Sequence, residues 1–193
     1  MEHALHLADV GFVSGLGPMG FGAETMFDTL DGPCLARDIR PGQTLRGSDG
    51  RQVQVTAVSQ SAPTDRWVSL PIALSETRLI VAADQPLICR HFLCAALFGA
   101  TEAIVRPGDL VGSRVQPSHG AELRLVRLEL DGQATLALGG YLFLCRGSVD
   151  DGIPPTDSSN DGAEPAQTRM LIGPQEARQL RDTGILFRKA AQP

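Results

Sequence analysis

The chain has 193 residues, of which 42% are hydrophobic and 20% charged, values typical of a single globular domain with a buried core. Its formal net charge is −5 and Lys189 is its single lysine, so it lacks the clustered cations that bind nucleic-acid phosphates. No apolar run approaches the roughly 18 residues of a membrane-spanning helix, which argues against a membrane protein.

The N-terminal sequence MEHALHLADVGF has neither a basic start nor a long apolar stretch, so it is unlike a secretory signal peptide. We therefore expect a cytoplasmic location by default, although an export signal of another type would not be visible. The cysteines are then expected to be reduced; they are Cys34, Cys89, Cys94 and Cys145. Residues 1–19 are glycine-rich and weakly patterned, and we interpret them as an arm that can add one strand.

Residues 20–146 have the pattern of an all-β domain. Glycine (21 residues) and proline (13 residues) are abundant, which favours short strands and many turns. The segment ETMFDTLDGPCLARDIRPGQTL predicts two short strands around a turn at 30–33, then a tight corner at 40–42. A Ser-Asp-Gly turn and an alternating strand follow, with Val53 and Val55 on one face.

The stretch LIVAADQPLIC, residues 79–89, predicts a strand, a short polar turn and a second apolar run. A turn of this kind is a common place for a catalytic His or Ser, yet this one carries Ala82 and Gln85. Further on, AELRLVRLELDGQATLALGGYLFLC predicts a hairpin whose turn is Asp131-Gly132.

Two segments complete the chain. Residues 147–168 are rich in Asp, Ser, Pro and Gly and bury too little apolar surface to offset ordering entropy, so we predict an acidic flexible linker. Residues 169–193 form a tail with one short helix, which begins at Pro174, ends before Gly184 and is entered by Met170, Leu171 and Ile172.

The order of these pieces resembles the hedgehog/intein (Hint) domain, in the form found as bacterial stand-alone or appended modules. ETMFDTLDGPCLARDIRPGQTLRGSDG resembles the family's opening, with a corner of the type Pro-Gly-Asp that here reads Pro-Gly-Gln43. RLIVAADQPLIC with LFGATEAIVRPGDLVG resembles its second conserved block, and LVRLELDGQATLALGGYLF resembles its closing hairpin. The helix in RMLIGPQEARQL resembles a segment that often follows the bacterial form.

This resemblance implies a compact, horseshoe-like β-fold and a self-cleavage activity. In that chemistry a first-residue Cys or Ser attacks the preceding carbonyl, while a Thr and a His polarise the scissile amide and protonate its nitrogen. The positions that match the family site are Gly20 for the nucleophile, Ala82 and Gln85 for the Thr and the His, and Gln133 for the His of the closing hairpin; Gly139 stands where an Asn is usual.

None of these residues can perform the family's reaction. Glycine has no side chain to attack a carbonyl, alanine has no hydroxyl, and glutamine cannot exchange a proton near neutral pH. The sequence therefore predicts a degenerate Hint domain that has lost self-cleavage and serves as a binding or structural module with an unknown protein partner, without catalytic residues or cofactors. An active autoprocessing domain that uses non-standard residues is the alternative from the enzyme class.

A small zinc-binding protein is a further alternative, because Cys89, His91 and Cys94 lie close in sequence and could supply three ligands. On a continuous strand, however, Cys89 and His91 would share one face and Cys94 the other, and buried apolar cysteines are the simpler interpretation. Three further possibilities are weaker. Cys34 could be a reactive thiol, Asp84 could be a catalytic carboxylate where a turn-capping one is usual, and the acidic residues of the linker could bind calcium. Those acidic residues are Asp150, Asp151, Asp157 and Asp161.

Overall fold

A computed structural model describes residues 20–61, 66–72, 75–118, 124–145, 147 and 169–184. Fourteen strands in these ranges form two sheets, accompanied by helices α1 (Phe92–Phe98) and α2 (Pro174–Asp182) and by 3-10 helices at Ala36–Asp38 and Pro107–Leu110. No helix within the described ranges is long and apolar enough to cross a membrane. The predicted arm 1–19 lies outside the described residues, as does the predicted linker apart from Gly147.

The larger sheet has nine strands in the order β10-β6-β7-β1-β11-β5-β4-β2-β3, and its described neighbours all pair antiparallel. Its strands are β1 (Phe21–Gly22), β2 (Met26–Thr29), β3 (Gly32–Leu35), β4 (Thr44–Arg46), β5 (Gln52–Ser61), β6 (Trp67–Pro71), β7 (Arg78–Ala82), β10 (Gln116–Ser118) and β11 (Leu125–Leu130). The short strand β1 lies between β7 and β11, with Phe21 opposite both Val81 and Val126. Because both neighbours pair with it, the start of β1 lies inside the sheet.

The smaller sheet has five strands in the order β12-β13-β8-β9-β14. Its strands are β8 (Leu87–Arg90), β9 (Glu102–Val105), β12 (Ala134–Leu138), β13 (Tyr141–Cys145) and β14 (Arg169–Leu171). The pairs are antiparallel except that β14 runs parallel to β9. This sheet therefore joins a strand from the C-terminal tail to the body of the domain.

One hydrophobic core connects the two sheets. Phe21 on β1 makes edge-to-face contacts with Phe27 on β2 and Phe143 on β13, with ring centroids 5.2 and 5.4 Å apart. All three phenylalanines are buried, and the remaining core is mostly Leu, Val, Ile and Ala, as the low aromatic content predicts. The mostly-β architecture expected from the sequence is confirmed.

The predicted hairpin at Asp131-Gly132 is wrong. Strand β11 pairs with β5 along its length, and the backbone N–H and carboxylate of Asp131 bond to Gln54 of β5. The hairpin is formed by β12 and β13, and it turns at Gly139 (φ +59°) and Gly140 (φ +86°). A two-residue hairpin turn of this kind needs positive φ at both central positions, which Gly-Gly provides and Asp131-Gly132 does not adopt.

Two expectations about helices also need correction. Residues Met170 and Leu171 do not lead into α2 as helix; they belong to strand β14, and α2 begins after Gly173. The stretch from Cys89 to Cys94 is not a continuous strand, because β8 ends at Arg90 and α1 begins at Phe92. The predicted helix from Pro174 is confirmed and ends at Asp182, followed by Gly184 at φ +70°.

Candidate functional site

Gly20, which the sequence resemblance assigns to the family's nucleophile position, is buried immediately before β1. Its carbonyl oxygen accepts a hydrogen bond of 3.0 Å from the backbone N–H of Ala82, at the end of β7. The structure thus brings two of the positions identified from the sequence into direct backbone contact. The contact exists because β1 and β7 are neighbouring antiparallel strands.

There is no room for a side chain at Gly20. A Cβ atom built on its backbone would lie 2.8 Å from Cγ of Leu125 and 2.8 Å from the carbonyl oxygen of Val126. Both contacts are far inside van der Waals distance, and the second is to backbone held in the β1–β11 pairing. Packing of β11 against this point therefore excludes any nucleophile-bearing residue unless the sheet moves.

The turn after β7 is fully enclosed. Ala82, Ala83, Asp84 and Gln85 are all buried, and the N–H of Gln85 donates to the carbonyl of Ala82 over 3.1 Å. The two sides of the turn are held by further backbone bonds, from Ala83 to the carbonyl of Arg66 and from Gly108 to the carbonyl of Ala83. The turn is thus a buried, hydrogen-bonded corner between β7 and β8.

Gln85 has a structural partner inside this corner. Its side chain is 2% exposed, and Nε2 donates a hydrogen bond of 2.9 Å to the carbonyl oxygen of Leu144 on β13. The backbone of Leu144 in turn donates to the carbonyl of Pro86 over 3.0 Å. The amide of Gln85 therefore satisfies a buried carbonyl and ties the turn to the smaller sheet.

Asp84 is the ionisable side chain of the turn. It is buried, and its Oδ2 lies 3.4 Å from Nη1 of Arg66, whose own side chain is mostly exposed. The guanidinium of Arg66 thus balances the charge of the buried carboxylate. The geometry supports a structural carboxylate at this position.

Gln133 and Gln43, the other two glutamines at family positions, have separate surroundings. Gln133 is exposed and borders a shallow cavity of about 250 Å³ lined also by Asp49, Arg51 and Leu144. Gln43 closes the corner at residues 40–42, because its Oε1 accepts a bond of 2.8 Å from the N–H of Arg40. The Gln43 side chain thus takes the acceptor role that a short acidic residue would fill in such a turn.

The proposed zinc ligands are not arranged around a common point. His91 is the N-cap of α1, where its Nδ1 accepts a bond of 3.2 Å from the N–H of Leu93. Cys94 lies inside α1, and its sulfur is 3.8 Å from that of Cys89. No group of three or more His, Cys, Asp or Glu side chains within the described part of the chain is placed to hold a metal ion. The zinc hypothesis for Cys89, His91 and Cys94 is therefore not supported.

Cys34 and Cys145 also lack the surroundings of a nucleophile. Cys34 is half-buried on β3, with its thiol 3.6 Å from the carbonyl oxygen of Leu35. Cys145 is buried on β13, and this burial raises the pKa of its thiol to about 12. A thiol with so high a pKa is protonated at neutral pH and unreactive.

Two features of this region were not predicted from the sequence. Leu125 fills the space next to Gly20, but in the sequence it has the pattern of an ordinary strand residue and does not indicate that contact. Trp67 is the single tryptophan and is 3% exposed beside Ala82 and Leu125, and its indole N–H is the one buried side-chain polar atom among the described residues without a hydrogen-bond partner. Only the three-dimensional pairing of β6, β7 and β11 brings these side chains together.

Comparison with solved structures places this architecture among inteins. A bacterial intein-like domain from Clostridium thermocellum matches with a TM-score of 0.50 and 14% identity, over 68% of this chain and 100% of that one. The gp41-1 intein matches with a TM-score of 0.45 and 11% identity over the same shares, and the MchDnaB-1 intein with 0.42 and 16% over 64% and 98%. No protein-family model matches the sequence, and no curated protein matches it significantly. At sequence identities this low, the similarity shows the fold alone.

Proposed function

We propose that this chain, which has a Hint-type fold, has lost self-cleavage and acts as a binding or structural module for a protein partner. The observation that carries the proposal is the packing at Gly20, where the family's nucleophile position is both empty of a side chain and too small to hold one. A reaction that begins with nucleophilic attack has no starting group at this position.

The environment of Gln85 supports the same function. A proton donor at the family's His position would have to reach the scissile amide and change its protonation state during the reaction. Gln85 instead donates to the carbonyl of Leu144, a buried contact between two elements of the fold. The side chain at this position is polar, and its hydrogen bond holds the turn in place.

Charge and location complete the proposal. The net charge of −5 and the absence of a Lys/Arg block in the sequence disfavour nucleic acid and anionic membrane as partners, and we infer a protein partner. We place the domain in the cytoplasm, where its thiols are reduced at rest.

A cleavage assay tests the loss of activity. A folded reporter is fused before Met1 of the full chain and incubated for days at neutral pH, with and without dithiothreitol or hydroxylamine, and the products are measured by intact mass. We expect a single species of full mass under all conditions. A fragment that begins at Gly20 would contradict the proposal.

The matched variant is Gly20→Cys in the same fusion. A thiol at this position is expected to give no cleavage, because the Val126 carbonyl and Leu125 occupy the space that its Cβ needs and neither Ala82 nor Gln85 can assist. Restoring Ala82→Thr and Gln85→His in the same chain leaves the obstruction in place. Thiol-dependent release of the reporter from the Gly20→Cys variant would show that the pocket still supports the reaction.

A further inference from the structure

The cysteines at the end of β8 and in α1 form a close thiol pair. Cys89 and Cys94 are 4% and 0% exposed, and their sulfur atoms are 3.8 Å apart. The Cys94 sulfur also lies 3.5 Å from the carbonyl oxygen of Cys89. All four cysteines are free thiols, and within the described ranges the sulfur–sulfur contact is the one between Cys89 and Cys94.

The backbone brings the two sulfurs together through the reversal at His91. Strand β8 ends at Arg90, His91 caps the helix, and the N–H of Cys94 donates to the carbonyl of His91 over 2.8 Å. The sulfurs are already in contact, and a disulfide bond needs them at about 2.05 Å. Closing the bond therefore requires the two sulfurs to approach each other by about 1.7 Å.

The two thiols differ in acidity in a way that suits exchange chemistry. The hydrogen bond between the two thiols lowers the pKa of Cys94 to about 7; backbone hydrogen bonds at His91 and Ala103 act in the same direction, and burial and the charge of Glu102 oppose it. The same hydrogen bond, together with burial, raises the pKa of Cys89. Cys94 therefore has the lower pKa of the two thiols, and we assign it as the attacking sulfur and Cys89 as the one that follows.

Access to the pair depends on α1. This helix has seven residues and a single fully buried one, Cys94. Phe92 and Leu97 on the same helix are 76% and 48% exposed, so they contribute little to holding it. A seven-residue helix is marginal by itself, so a local opening that releases the partly buried Leu93 and Phe98 from the core allows a small molecule to reach the sulfurs.

We propose that Cys89 and Cys94 form a reversible dithiol–disulfide site that is oxidised by small-molecule disulfides. The Cys94 thiolate attacks one sulfur of the small disulfide and releases one equivalent of its thiolate. The Cys89 sulfur, losing its proton, attacks Cys94 in the mixed disulfide and releases the second equivalent. One small disulfide and two protein thiols give one protein disulfide and two small thiols, and two electrons pass to the small molecule. The bond fixes α1 to β8, the strand that follows the buried turn at Gln85.

The sequence provides a direct assay for this bond. Trypsin cleaves after Arg78, Arg90 and Arg114 but not at Arg106, which precedes a proline, so Cys89 and Cys94 fall on separate peptides, 79–90 and 91–114. The native full-length protein is equilibrated in buffers of oxidised and reduced glutathione, blocked with a maleimide and digested without reduction. We expect the two peptides to be joined and to separate on reduction, with two of the four cysteines protected from the maleimide.

Variants and a denatured control make the assay specific. Cys34→Ser should leave the linked peptide unchanged, whereas Cys94→Ser should abolish it. The equilibrium constant for forming the bond should be at least about tenfold larger in native protein than in urea, a difference of about 30 mV in potential, because the fold holds the sulfurs in contact. Equal constants in the two states, four free thiols in oxidised buffer, or a bond that involves Cys34 or Cys145 would each overturn the proposal.

Discussion

Gln85 and Gln133 both stand where the Hint resemblance places a histidine, yet the structure gives the two amides opposite environments. Gln85 is buried and bonded to the Leu144 carbonyl, while Gln133 is exposed beside a shallow cavity. Residue type alone cannot separate them, since either amide is suited to water or to a buried hydrogen bond. Burial decides that Gln85 contributes to the stability of the fold and Gln133 does not.

Alanine substitutions test this difference. Gln85→Ala leaves a cavity and a buried carbonyl without its donor, so we expect the free energy of unfolding to fall by about 2–4 kcal/mol. The matched change Gln133→Ala should alter it by less than about 0.5 kcal/mol, because that side chain is exposed. Urea unfolding followed by the fluorescence of Trp67 measures both, and equal effects would show that the Gln85 contact is unimportant.

A second pair of substitutions tests the packing at Gly20. Gly20→Ala introduces a methyl group into contacts of 2.8 Å with Leu125 and Val126, and we expect a loss of about 1–3 kcal/mol. Gly132→Ala is the control, since that glycine has no atom within 4 Å of the new Cβ and no positive φ. A Gly20→Ala protein as stable as its control would mean that the β1–β11 pairing is looser than described.

At the scale of elements, α2 belongs to the β-domain although it lies in the tail. Ala177 and Leu180 are fully buried, and Nη1 of Arg181 donates a bond of 2.6 Å to the carbonyl of Val111. Strand β14 just before it pairs with β9, and the N–H of Ile172 donates to the carbonyl of Ile104. A nine-residue helix is marginal alone in water, so these contacts are what keep α2 formed.

Limited proteolysis tests this attachment. A broad-specificity protease is expected to cut first within 147–168, because the sequence of this acidic segment contains few apolar residues, and the two pieces should elute together from a sizing column. Leu180→Ala should weaken the association by about 2–4 kcal/mol, whereas Gln179→Ala, an exposed neighbour, should not. Free separation of the unmutated C-terminal piece would contradict the docking.

At the scale of the whole molecule, β13 lies where both sheets meet the core, and its buried ionisable groups link stability to pH. Burial raises the pKa of Tyr141 from 10.0 to about 12, and of Cys145 from 9.0 to about 12. The hydroxyl of Tyr141 also donates to the carbonyl of Pro71 in the larger sheet. Both groups are held neutral in the folded protein above the pH at which they ionise in an unfolded chain.

Stability should therefore decline in alkali. The unfolded chain binds fewer protons than the folded one between about pH 9 and 12 at Cys145 and between about pH 10 and 12 at Tyr141. The free energy of unfolding therefore falls as pH rises, by up to about 1.4 kcal/mol per pH unit for each group within its window. Below pH 9 both groups are protonated in either state and contribute no slope. Urea titrations of the protein and of Cys145→Ala and Tyr141→Phe should show a shallower decline in each variant, and unchanged slopes would refute the assignment.

Periodicity and turn chemistry in the sequence were sufficient for the all-β class, for most strands before residue 90 and for the helix that starts at Pro174. These features are local: alternating burial, a Gly or Pro at a turn and a proline at a helix start act within a few residues. The order of such pieces also carried the Hint resemblance, and the residue types at Gly20, Ala82 and Gln85 were enough to predict missing chemistry, since a side chain that is absent cannot react.

Tertiary structure decided what the local pattern left ambiguous. Strand β11 pairs with β5 rather than with β12, the next strand in sequence, and the paired residues Leu125 and Ser61 are 64 positions apart. Asp131 is hydrogen-bonded to Gln54 of β5, and the hairpin forms at the Gly139-Gly140 turn instead. The helix at Phe92–Phe98 was missed because its apolar run is too short to distinguish from a strand, and the Cys89–Cys94 contact was missed with it. The lack of room at Gly20 is caused by β11, a strand more than a hundred residues later in the sequence. Packing between such distant segments depends on how the sheet assembles, so local sequence patterns cannot predict it.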